Sequence, residues 1–94
     1  MPKRTRDYRE GLLEELQDPL AAAHYLDASA AESEELFLIA LRDIAEAHGM
    51  SRVAGDAGVA REAIYRMLSE TGNPTFASLI RILAAVGLLS LIHI

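Results

Sequence analysis

The chain has 94 residues, 51% of them hydrophobic, no cysteine and a net charge of −5, which bounds it to one small domain without disulfides or thiolate metal sites. Its longest apolar run, residues 83–92, is broken by Gly87 and Ser90 and is about half of what a membrane helix needs; no apolar run follows the basic start MPKRTRDYRE, so no signal peptide is read. These features predict a cytoplasmic protein with no membrane partner.

The charge is unevenly spread. Lys3, Arg4, Arg6 and Arg9 stand against Asp7, a local charge of +3. Residues 10–49 then carry ten acids against Arg42 alone, a charge of −9. Residues 50–94 come out at +1. With screening over roughly 8 Å at physiological salt, local charge decides what each surface attracts.

Helix signals dominate and strand signals are scarce. Residues 7–16 place Tyr8, Leu12, Leu13 and Leu16 at helical spacing, and the basic KRTR at residues 3–6 reads as a disordered terminus rather than a DNA-touching arm. Asp18 and Pro19 supply an N-cap and an N1 proline for a second helix, expected to reach about Ala28. Ser29 and Glu32 suggest a capping box for the third. That helix presents Leu36, Phe37, Ile39, Ala40, Ile44 and Ala47 as its apolar side, and ends at Gly49. His48 reads as a cation at its C-terminal end. Short helices follow near residues 51–57 and 61–69, then the breaker cluster TGNPT, then a last helix over residues 76–86 capped by Thr75 and stopped by Gly87. The fold class expected is all-α: a small bundle of five to six short helices.

Residues 50–69 also fit a helix-turn-helix. Counted from Met50, the fifth position is Ala54, small enough for two helices to cross closely. The ninth is Gly58, where the turn needs a positive φ. Val53, Ala57, Val59, Ile64 and Met67 fill the five apolar positions. Arg61, Glu62, Tyr65, Arg66 and Ser69 fall on the outer face of the second helix, the face that enters the major groove in such motifs. Arg61 and Arg66 suit guanine O6 and N7, although Glu62–Arg66 is equally spaced for a pair along the helix. Tyr65 is either a base or phosphate contact or a partly buried wall. Ser51 and Arg52 open the first motif helix, where phosphate is favoured, or are simply solvated. Asn73 and Thr75 offer backbone-phosphate contacts, or only turn and cap.

The stretch ALRDIAEAHGMSRVAGDAGVAREAIYRMLSETGNPTFASLIRILAAVGL, residues 40–88, closely resembles the addiction-module antidote proteins of the Xre-like helix-turn-helix class, and DPLAAAHYLDASAAES is similar to that family's front end. The resemblance covers about four-fifths of the chain. It implies a lambda-repressor-like fold and a homodimeric antitoxin. Such a protein binds a small basic toxin of the RelE/ParE type and represses its own operon through a double-stranded DNA operator. A stand-alone prophage-type repressor is the alternative, and a protein-interaction bundle with a decayed DNA face the third reading. One departure is Ala60, which stands where the family usually has a serine N-cap.

The resemblance also tips the acidic first half toward toxin binding, where the residues alone leave solubility equally open. The expected division is therefore residues 1–49 facing the toxin, residues 50–88 carrying the helix-turn-helix and last helix, and residues 89–94 as a tail. The tail LSLIHI matches an in-frame translation of a transposase sequencing adapter and is expected to be non-native; the competing reading is an apolar β-tail pairing across a dimer. His24, His48 and His93 lie scattered, and Glu14–Glu15 and Glu34–Glu35 have no nucleophile or phosphate loop nearby. No metal, no cofactor and no enzymatic activity are expected.

Overall fold

The computed structural model describes the backbone of residues 2–91 and the side chains of residues 8–91. Six helices follow one another: α1 (Pro2–Glu15), α2 (Pro19–Glu32), α3 (Glu34–His48), α4 (Met50–Ala57), α5 (Arg61–Met67) and α6 (Phe76–Ala85). Among the described residues there is no strand, as the all-α expectation required.

Helix α1 starts earlier than its apolar pattern suggested. Pro2 is tolerated in a first turn, and no breaker separates it from Gly11, so KRTR lies within α1 rather than in a disordered terminus. Asp18 caps α2 as expected, accepting from Ala21 N at 3.2 Å, with Pro19 next. The proposed Ser29–Glu32 capping box does not form. α2 runs through both residues, and Ser29 Oγ donates back to the Tyr25 carbonyl at 2.9 Å. Ser33 makes the corner instead, its extended backbone interrupting the helix while its hydroxyl accepts from Leu36 N at 3.0 Å.

Helix α3 is the hub, touching α1, α2, α4 and α5. Its buried face is Leu38, Ala40, Leu41, Asp43, Ile44 and Ala45. The expected side was rotated: Leu36 is exposed, while Phe37 and Ala47 only pack against the core's edge. The run LFLIAL is apolar all round, so periodicity alone cannot choose its inner face. Leu41, Ile44, Val53, Ile64, Leu68, Ile82, Leu83 and Leu88 form the fully buried centre. α6 packs across α4, and Thr75 caps α6 by accepting from Ser78 N at 3.1 Å.

Between α4 and α5 the chain turns in three residues. Gly58 has φ +72 and ψ +31, the left-handed conformation expected of it. Ala54 and Ala57 are buried beneath the turn, and Val59 packs against the core. A Cβ at residue 58 would meet no neighbour, so the cost of one is backbone strain alone. Gly58→Ala is expected to lower stability by about 1 kcal/mol, read as a shift of the urea midpoint with unchanged m-value.

After α6, Leu88 is fully buried while Leu89 and Leu91 are exposed. Residues 89–91 form a turn, with Leu91 N donating to the Leu88 carbonyl at 2.9 Å. The alternating β-tail is therefore not made by residues 89–91; Ile92, His93 and Ile94 lie outside the described residues.

Candidate nucleic-acid interface

Helix α5 has one buried residue, Ile64, and turns Arg61, Glu62, Tyr65 and Arg66 outward. The burial of Ile64 and Leu68, which are four apart, anchors one stripe of the segment. Its opposite side is left polar by the same helical period. Met67, expected in the core, is only partly buried, and Leu68 takes the deeper position. Ala60 at the N-cap makes no side-chain bond to the first turn; only its carbonyl serves the helix start, accepting from Ala63 N at 3.0 Å and Ile64 N at 3.3 Å.

Arg61 and Tyr65 are one helical turn apart and interact. The guanidinium carbon of Arg61 sits 5.8 Å from the Tyr65 ring centroid, within cation–π range. This gives Arg61 a rest position on a rigid ring while leaving both groups exposed. Arg66 has no such restraint: among the described residues, Glu62 and Arg66 form no ion pair. The helix-pairing reading of Arg66 is thus not what the structure contains.

Ser69 lies beyond the end of α5 rather than on it, half-buried, its hydroxyl donating to the Arg66 carbonyl at 3.0 Å. It nevertheless joins Arg66 and Asn73 in lining one shallow concavity at the end of α5. Thr75 is committed to capping α6, though its side chain remains exposed.

In α4, Ser51 and Arg52 are exposed. Arg52 is folded back along its own helix: Nε donates to the His48 carbonyl at 3.3 Å, and the guanidinium lies 3.4 Å from both Asp56 Oδ2 and His48 Nδ1. These contacts are long and exposed and hold the side chain weakly. They also weigh against His48 as a cation: partial burial, and then the charge of Arg52, push its imidazole below the ordinary value.

This surface is close to electrically balanced: Arg52, Arg61 and Arg66 are exposed on α4 and α5 together with Asp56 and Glu62. Among the described residues no three His, Asp or Glu side chains gather as a metal site needs, and no helix is long and apolar enough to cross a membrane.

A different polar cluster escaped the sequence reading. Asp43, one of the ten acids counted over residues 10–49, is buried. Its Oδ1 accepts from Arg9 Nη1 and its Oδ2 from the Tyr25 hydroxyl, each at 2.9 Å, while Arg9 Nη2 reaches Glu46 at 2.8 Å. The cluster ties α1, α2 and α3 together and stands apart from the outward face of α5.

Comparison with known proteins bears on both halves. A family model described as probable addiction module antidote protein matches residues 10–93. An uncharacterized protein of Haemophilus influenzae (strain Rd) is 54% identical over 54 residues, 57% of this chain and 56% of the relative. The chain thus spans little more than half of that relative's length. No solved structure matches.

Proposed function

The chain belongs to the family of probable addiction module antidote proteins, and on that premise we propose that it is a non-enzymatic, DNA-binding antitoxin of the Xre-like helix-turn-helix class. It neutralises a small basic toxin of the RelE/ParE type and, as a homodimer, represses its own operon. The observation that carries the DNA half is the outward set Arg61, Tyr65 and Arg66 on a short helix set by the Gly58 turn and anchored by buried Ile64. In this reading α4 and α5 are the two motif helices, and α5 enters the major groove. Arg61, released from Tyr65, forks onto a guanine, and Arg66 and Asn73 reach the flanking backbone. A two-fold dimer would place half-sites about one helical turn, roughly 34 Å, apart.

The test is fluorescence anisotropy on duplex DNA from upstream of the gene, across a salt series. Arg61→Ala is expected to weaken specific binding about tenfold, or ~1.4 kcal/mol, and to leave the weak non-specific binding little changed. Equal binding by wild type and variant would remove α5 as the reader. Co-expression with the product of a neighbouring small basic reading frame tests the antitoxin half: growth should be restored by this chain. Specific DNA binding without such rescue would favour the stand-alone repressor.

A further inference from the structure

We propose that a trough between the start of α3 and the start of α6 is the seat of the partner protein, taking an apolar side chain of a basic amphipathic helix. This rests on the antidote reading and names the surface through which such a protein would hold its partner.

The trough has a volume of about 410 Å³, within the size range of ligand pockets. Ala30 closes it from the end of α2, Phe37 and Leu38 from α3, and Phe76 and Leu79 from α6, while the loop residues 72–74 form its far wall. The chain has two phenylalanines, and both are here. Phe76 is 63% exposed, a large apolar surface left in water in the first turn of a helix. Exposed aromatic side chains beside a concave apolar floor are the usual anchors of an interface.

Charge selects the occupant. Among the described residues Glu34 is the only charged one lining the trough, and Glu32 and Glu35 are exposed beside it in sequence. Between Arg9 and Arg42 the sequence holds eight acids and no lysine or arginine. A phosphate-bearing ligand is repelled by that surface. A helix with lysines or arginines flanking a leucine or phenylalanine meets opposite charge at the rim and apolar contact at the floor. The loop that closes the trough also carries Asn73, so its two sides serve different chemistries: apolar and acidic toward α3, polar beside Arg66 toward α5.

The experiment uses the purified full chain and a fluorescent leucine–lysine amphipathic peptide of about 14 residues, roughly 21 Å of helix. A leucine–glutamate version serves as the counter-probe. The lysine peptide is expected to bind and the glutamate peptide not to. Phe76→Asp, whose fold is checked by its thermal melt, is expected to raise the Kd at least tenfold, and Glu34→Lys with Glu35→Lys to reverse the preference between peptides. Equal binding by Phe76→Asp, or no preference for the lysine peptide, overturns the proposal. So does a wild-type dimer that Phe76→Asp dissociates, which would assign the trough to a second copy. The co-expression assay separates this from the antidote reading. Rescue by both wild type and Phe76→Asp overturns the trough alone, whereas failure of the wild type to rescue ends the antidote reading.

Discussion

Asp43→Ala is expected to lower the free energy of unfolding by roughly 2–3 kcal/mol, with the urea midpoint falling accordingly. Asp43 is 6% exposed, and both its oxygens are engaged. Removing it strands the Tyr25 hydroxyl and leaves Arg9 with Glu46 alone. The roughly 3–5 kcal/mol of a fully buried broken ion pair is not reached, because the Arg9 side chain is 42% exposed and water replaces part of what it loses. Asp43→Asn separates the contributions. Its amide oxygen can still accept from Tyr25, but it no longer neutralises Arg9, so about half of the loss should remain. If Asp43→Ala unfolds at the wild-type midpoint, the cluster does not hold α1 and α2 to α3.

The same cluster fixes the alkaline behaviour. Burial, and then the hydrogen bond to Asp43, push the Tyr25 phenol up to about 12 from its ordinary 10. The unfolded chain therefore gives up this proton first. The contribution to stability is complete below pH 10 and is lost as pH rises toward 12. Tyr25→Phe should flatten the stability–pH curve over that window and leave its neutral region parallel to wild type.

How much of this was legible in the sequence depended on whether the signal was local. Asp18, Gly58 and Thr75 act through their own few residues, and each does what its chemistry dictates. The outward set on α5 was legible for the same reason: Ile64 and the turn fix the helix's rotation, and the polar residues take the other side. The inner face of α3 was not, because LFLIAL offers apolar residues in every direction and only the packing of α2 and α4 selects Leu38 and Leu41. Asp43 was hidden because its partners are 34 and 18 residues away in the chain. The trough was hidden likewise. It exists only where α2, α3, α6 and the loop before α6 meet, and Phe37 and Phe76 each look, taken alone, like ordinary core residues.

Gly72→Ala is expected to cost roughly 3 kcal/mol, a fall in Tm on the order of 15 °C for a domain of this size. The sequence marks Gly72 only as part of a breaker cluster, yet its role is close approach. A Cβ there would collide with the Met67 carbonyl oxygen and lie 2.7 Å from the Met67 carbonyl carbon and 2.9 Å from the Arg66 oxygen. These are backbone atoms and cannot swing aside as a side chain would, so either the loop lifts or the last turn of α5 unwinds. Both movements reach beyond stability. Gly72 belongs to the wall of the apolar trough and to the concavity of Arg66, Ser69 and Asn73. The variant should therefore weaken the leucine–lysine peptide and the specific DNA together, at a temperature where it is still folded. Arg61→Ala should affect only the DNA, and Phe76→Asp only the peptide. Loss of one activity without the other in Gly72→Ala would mean that the loop bounds one site and merely neighbours the other. An unchanged melting curve would mean that the chain reaches α6 by a path that leaves room for a methyl group at residue 72.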